Sequence, residues 1–376
     1  MTTAAVIGTG FIGTVHVEAI RRIGVPVKGA LAGSAESTQN AQRKLKLECG
    51  YRDVSEIASD SDITIVHVTS PNALHFEQVC ELLESGKHVI CEKPLAITSA
   101  EGESLLKLAD SKNLIHALCF NTRFYPMVHE ARSLVHSGKI GTPTYVLGSY
   151  HQDWLLLETD WNWRLEGEKA GELRAVADIG SHLIDQISFV SGLEVESVLA
   201  DLHTIVKERK KPSGPVQTFT VDSTMSREGV KMSSDDAAGV LIRYKNGARA
   251  TLSISQVSAG RKNNLAWEVS GSESAIAFET AEPEKLWIGH RGQPNQISLK
   301  DPSTISADAA KNAFYPGGHI EGFGETFRAL FERVYADIDR SERKIDYPTF
   351  KDGVTSLKIT EAIAQSSKTQ TWVKVD

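Results

Sequence analysis

The chain has 376 residues, longer than one ordinary domain, and a hydrophobic fraction of 41% with 24% charged and 7% aromatic residues excludes disordered and fibrous classes. A formal net charge of -7 argues against nucleic acid as a partner, because phosphate recognition needs a concentrated basic surface. No run of about 18 apolar residues is present, so no membrane span is expected.

Length alone predicts two domains with a cleft between them. The one basic run, Lys207 to Lys211, is followed by Pro212, Ser213, Gly214 and Pro215 and reads as a solvated loop. Cys49, Cys80, Cys91 and Cys119 form no CxxC pair, and the opening residues show no basic leader or cleavage site, so reduced thiols and a cytoplasmic location are expected.

In chain order, the apolar run Ala4 to Ile7 ends in Gly8, Gly10 and Gly13, and helical character follows from His16 to Arg22. Strand, glycine turn and helix in that order predict a dinucleotide site. The first glycine permits the turn, the second admits a pyrophosphate, and the third lets helix pack on strand. Further strands are expected at Val25 to Ala32, Ile63 to Thr69, His88 to Cys91 and Leu114 to Phe120. Helices between them are expected at Ala35 to Leu47, Ala73 to Ser85 and Ser99 to Ser111. This alternation predicts an α/β fold with a doubly wound parallel sheet. The second strand ends in Leu31, Ala32, Gly33 and Ser34 without a carboxylate until Glu36. That end leaves room for a ribose phosphate, with Ser34, Ser37 and Arg43 as donors, and favours NADP over NAD.

Thr69-Ser70-Pro71-Asn72, with His75 beyond, and Cys91-Glu92-Lys93-Pro94 both follow strand ends, where open α/β sheets hold ligands. Together with Gly8 to Gly13 and His16, with Asn121-Thr122-Arg123-Phe124-Tyr125-Pro126, and with the segment Asp178 to Asp185, these motifs resemble the glucose–fructose oxidoreductase, inositol dehydrogenase and rhizopine catabolism family, Gfo/Idh/MocA. The resemblance spans nearly the whole chain.

It implies a Rossmann domain over residues 1–122 and a substrate-binding and oligomerisation α+β domain over 123–376, with a large open, mostly antiparallel sheet. Strand-like runs at Pro143 to Tyr150, Ser197 to Val206, Ala238 to Tyr244, Ala248 to Val257, Ala266 to Ser270 and Ala275 to Glu279 agree, and Asn246-Gly247 marks a hairpin. Amphipathic helices near Gly322 to Ala336 and Asp352 to Ser366 are expected to close that domain.

On a helix from Ala177 to Val190, Asp178, His182 and Asp185 share one face by spacing, and a carboxylate one turn from an imidazole suits a general base. The resemblance assigns Lys93, Asp178 and His182 as the catalytic trio. It also implies a cofactor set of Gly8, Gly10, Phe11, Ile12, Gly13, Ser34, Ser37, Arg43, Thr69, Ser70, Pro71, Asn72, His75, Glu92, Lys93, Asn121, Trp163 and Arg164. A polar and aromatic substrate cluster is expected from His151, Asp153, Trp154, Trp161, Trp163 and Arg164, joined by Arg123, Tyr125 and His319 beside the trio.

One departure stands out: where relatives carry a glycine run ahead of the catalytic helix, this chain has Ala170-Gly171-Glu172-Leu173-Arg174. With no HExxH, no cysteine cluster and no third ligand beside Asp178 and His182, no metal is expected. The implied activity is hydride transfer between NAD(P) and a sugar, glycoside or inositol-like polyol, in a homo-dimer or homo-tetramer. Two alternatives stay open: a redox-neutral glycoside-cleaving enzyme with tightly held NAD(H), and a non-catalytic dinucleotide-dependent sensor.

Overall fold

The computed structural model describes residues 2–214, 226–338 and 340–376; Pro215 lies outside them. The chain divides into two compact units, one of residues 1–121, 168–171 and 326–357, the other of residues 122–167, 172–325 and 358–376.

The first unit is built on β1 (Ala4–Ile7), β2 (Val27–Leu31), β3 (Cys49–Gly50), β4 (Ile65–Val68), β5 (His88–Cys91) and β6 (His116–Leu118), all parallel, in the order β3-β2-β1-β4-β5-β6. β1 and β4 are buried along their whole length, as strands covered on both faces require. The helices α1 (Phe11–Arg22), α2 (Ala35–Leu45), α3 (Val54–Ser59), α4 (His75–Glu84) and α5 (Ser99–Ser111) alternate with them. This is the doubly wound order, with its switch point between β1 and β4. Short β3 and α3 carry too little periodicity to be read from sequence. The core of this unit also takes in Phe350, Val354 and Leu357 beside Leu95 and Leu118.

The second unit carries β7 (Pro143–His151), β8 (Val195–His203), β9 (Glu208–Pro212), β10 (Arg227–Lys231), β11 (Ala237–Tyr244), β12 (Arg249–Ser255), β13 (Asn264–Gly271), β14 (Ser274–Glu279), β15 (Lys285–His290), β16 (Gln296–Leu299) and β17 (Val373–Lys374). Nine of them form one open sheet, ordered β16-β15-β14-β13-β7-β12-β11-β8-β17. Every neighbouring pair is antiparallel except β12 with β7. Asn246-Gly247 does turn β11 into β12: Gly247 sits at φ +93°, and Asn246 Oδ1 accepts the Ala248 amide at 2.9 Å. Helix α6 (Pro126–His136) and the helix Ser181–Ser191 bury Met127, Val128, Leu183 and Ile187 in the core of this unit with Val146 and Val269.

Two expectations need correction. The basic run is not a solvated loop: residues 208–212 are β9, paired antiparallel with β10, and Arg209 is fully buried. Its guanidinium donates to Asp236 at 2.8 Å and to the carbonyls of Leu155 at 2.8 Å and Leu157 at 3.0 Å, so a carboxylate distant in sequence offsets the burial of the charge. The two C-terminal helices, Phe323–Ile338 and Phe350–Thr369, do not both close the second domain: residues 326–357 belong with the first unit.

Candidate active site

In the first unit the three glycines have three different surroundings. Gly8, at φ +90°, lies so close to the Thr69 carbonyl and Ser70 amide that no side chain fits, and a Cβ on Gly13 would strike the Gly8 carbonyl. At Gly10 nothing lies within 4 Å of where a Cβ would sit. Gly10 is also the N-cap of α1, which has no side-chain cap and no acidic residue in its first turn. An uncapped helix start beside open space fits a dinucleotide pyrophosphate. Phe11 is half exposed and Ile12 partly buried at this start.

The facing loop is held rigidly. Thr69 Oγ1 donates to the Ile7 and Gly8 carbonyls at 3.0 and 2.8 Å, Ser70 Oγ to Gln78 Oε1 at 2.6 Å, and Asn72 Nδ2, after Pro71, to the Ala170 carbonyl at 3.1 Å. His75 is buried with its ring nitrogens 2.8 Å from the Pro94 carbonyl and 2.9 Å from that of Ser70. It braces the two ligand-facing loops on each other, and burial lowers its pKa. Glu92 follows β5, and Lys93 precedes Pro94 across a cis peptide. Asn121 Nδ2 donates to Thr326 Oγ1 at 2.8 Å.

At the end of β2, Ser34 caps α2: its Oγ accepts the Ser37 amide at 3.1 Å and donates to Ser37 Oγ at 2.9 Å, and the exposed Arg43 donates to Asn40 Oδ1 at 2.6 Å. No acid stands at this strand end.

In the second unit the helix that carries Asp178 and His182 begins differently from the expectation. Val176–Gly180 is a π-turn, and the α-helix proper runs Ser181–Ser191. The wider turn shifts Asp178 in phase relative to His182, a distortion common at functional sites. His182 is buried.

Asp178 Oδ1 accepts Arg164 Nε at 3.1 Å, and Oδ2 accepts Gln256 Nε2 at 2.8 Å. Arg164 lies over the Trp163 ring, 4.5 Å from its centroid. Gln256 also approaches Gln152 at 3.4 Å, and Gln152 accepts the Trp154 indole N–H at 2.7 Å. The structure therefore joins Trp154 to Asp178 through two glutamines that sequence reading missed, and Trp163 to Asp178 through Arg164. Isolated glutamines at strand ends give no signal.

The remaining expected residues take other partners. Asp185 receives a bidentate Arg123 guanidinium, with Nε at 2.8 Å. Burial pushes the Tyr125 phenol up to about 12. His151 Nε2 lies 2.9 Å from Ser253 Oγ; Asp153 pairs with Lys262 at 2.8 Å, and Trp161 with Lys211. His319 is exposed, its carbonyl bound by the buried Lys300 at 2.5 Å. The departure at Arg174 has a role: Arg174 is buried against Asp236, while Asp235 accepts the Arg174 and Val176 amides at 2.6 and 2.8 Å and so fixes the entry to the π-turn.

A glycine turn with open space at Gly10 and a helix carrying Asp178 and the buried His182 fit a nicotinamide-dependent oxidoreductase. Family models agree. Residues 2–120 match the oxidoreductase family with NAD-binding Rossmann fold, and residues 128–277 match the GFO/IDH/MocA C-terminal domain. Levoglucosan dehydrogenase of Pseudarthrobacter phenanthrenivorans is 30% identical over 98% of this chain and 97% of its own. Glucose-6-phosphate 3-dehydrogenase of Bacillus subtilis is 26% identical over 96% and 95%. A structure of levoglucosan dehydrogenase in complex with NADH and L-sorbose superimposes with a TM-score of 0.89 at 28% identity, covering 100% of this chain and 99% of that one. The chain belongs to the Gfo/Idh/MocA oxidoreductase family.

Proposed function

We propose that the chain is a dehydrogenase that oxidises a secondary hydroxyl of a sugar, anhydrosugar or cyclic polyol to a ketone, with Lys93, Asp178 and His182 as its catalytic groups. The observation that carries this reading is the buried helix start at which Asp178 is held by Arg164 and Gln256 one step before His182. An oriented carboxylate on the helix start that leads into a buried imidazole is suited to taking up a hydroxyl proton. Residues 1–122 supply the cofactor half and residues 123–376, apart from the stretches that belong with the first unit, the substrate half. The nicotinamide, when bound, supplies the hydride acceptor. The substrate hydroxyl proton passes to His182 Nε2 while the Lys93 ammonium stabilises the oxygen as the C–H bond breaks, or to a neutral Lys93 amine that becomes that ammonium, and Asp178 orients its neighbours. Trp154, Trp163, His151, Asp153, Arg123, Tyr125 and His319 are proposed to face the sugar.

For the cofactor we propose NADP(H), on the carboxylate-free end of β2 with Ser34, Ser37 and Arg43. NAD(H) is the competing reading, because levoglucosan dehydrogenase was solved with NADH. The four cysteines are free and no helix among the described residues is long and apolar enough to cross a membrane; both suit the cytoplasmic location we propose.

The test is reduced-nicotinamide absorbance with either cofactor against inositols, aldoses, anhydrosugars and glycosides. Substrate-dependent reduction, lost by at least 10³-fold in Lys93→Ala, is the expected result. Cleavage of a glycoside with no net cofactor change would replace the reading with the redox-neutral one.

A further inference from the structure

Beneath the Glu92-Lys93-Pro94 loop runs a buried line of polar groups that the reaction does not itself require. Tyr335 Oη lies 2.9 Å from His67 Nε2, His67 Nδ1 lies 2.9 Å from His16 Nδ1, and His16 Nε2 lies 3.1 Å from Glu92 Oε1. Glu92 Oε2 in turn accepts the Lys93 backbone amide at 3.2 Å. His16 and His67 are fully buried, packed edge-on to each other and against Phe331. Burying two imidazoles in an aromatic core is costly unless each polar atom is matched.

Matching them leaves one arrangement. An ionised carboxylate only accepts, so His16 Nε2 carries the proton toward Glu92. Tyr335 has no other hydrogen-bond partner among the described residues, so its O–H is satisfied only by donating to His67 Nε2. His67 then donates from Nδ1 to an unprotonated His16 Nδ1. Every donor in the line points toward Glu92.

We propose that Tyr335, His67 and His16 form a one-way hydrogen-bond chain that fixes the Glu92 carboxylate against the Lys93 amide, which makes His16 and His67 positioning residues for the catalytic lysine. The last clause rests on the dehydrogenase reading; the chain itself does not. Burial pushes the Glu92 carboxyl up, and the hydrogen bonds from His16 on α1 and from the Cys119 thiol beyond β6, with the charge of Lys93 beside it, hold it down to about 2. Burial keeps His67 neutral and the Cys119 thiol protonated. Glu92 also faces His75 from α4 and Cys91 from β5.

The test uses the full-length protein with ¹⁵N-labelled histidine and lysine. At pH 7.5 the spectrum should show neutral His16 protonated at Nε2 and neutral His67 protonated at Nδ1. An imidazolium at His16, or protonation of His67 at Nε2, overturns the chain. Tyr335→Phe keeps the ring and removes only the hydroxyl, and should release the tautomer preference of His67; an unchanged His67 signal also counts against the chain.

For positioning, His16→Leu removes the donor to Glu92, whereas His16→Gln retains an N–H at the same reach. The Lys93 amide resonance should move in the leucine variant and stay near its place in the glutamine variant. Where dehydrogenase activity is present, kcat should fall ten- to a hundredfold in His16→Leu, the range that a misplaced catalytic group produces. The cofactor KM should stay within about threefold, the acid limb should move to higher pH, and His16→Gln should recover most of the rate. Equal effects of the two variants overturn the positioning role. Inactivity of the wild type toward every substrate would instead sink the dehydrogenase reading, leaving the resonances to decide the chain.

Discussion

At the scale of single residues, the glycine turn separates what the protein needs from what a ligand needs. Gly13 has the Gly8 carbonyl where a Cβ would go, while Gly10 has nothing there. Gly13→Ala should therefore lose about 1–3 kcal/mol of stability through overpacking, read as a lower urea midpoint. Gly10→Ala should unfold at the wild-type midpoint yet bind reduced nicotinamide dinucleotide at least about tenfold more weakly, a loss of about 1.4 kcal/mol, read by fluorescence titration. Normal binding by Gly10→Ala would remove the pyrophosphate from this turn. The glycine turn itself was legible in the sequence because glycine spacing after a strand has few physical explanations. The partners of His67 and Tyr335 were not: they meet across 268 positions of chain, and a lone histidine in an apolar strand is indistinguishable from ordinary core.

At the scale of elements, long periodic segments were readable and short ones were not. β1, β5 and α5 begin and end where the pattern places them. β3, α3 and the β9–β10 hairpin give no comparable signal, and Lys207 to Lys211 misled because runs of charge normally stay in water. The π-turn at Val176–Gly180 was equally hidden, since periodicity cannot register one inserted residue. The β9 error marks where stability resides. Asp236 pairs with both Arg174 and Arg209 in a site where all three are buried. Asp236→Ala should cost about 3–5 kcal/mol, because it leaves two guanidinium groups without their carboxylate. The surface change Lys211→Ala should stay within about 0.5 kcal/mol. Urea unfolding of both variants distinguishes a buried ion cluster from a solvated loop, for which the two losses would be alike.

At the scale of the whole molecule, the nine-stranded sheet leaves Tyr145, Leu147, Leu241, Ile297 and Leu299 exposed, apolar surface of the kind that a partner can cover. We propose that a second copy of the chain covers them, consistent with the dimer or tetramer expected from the sequence. Leu147→Glu with Ile297→Glu should shift light-scattering mass toward the monomer; a wild type that is already monomeric at micromolar concentration would end the proposal.

The composition of the first unit also governs how the protein is made. Its core is completed by Phe350, Val354 and Leu357, so the ribosome delivers the last piece long after β6. At about 5–20 residues per second, the interval is roughly 10–50 s. For that time Leu95 and Leu118 await partners not yet synthesised, while the rest of the chain is still being translated.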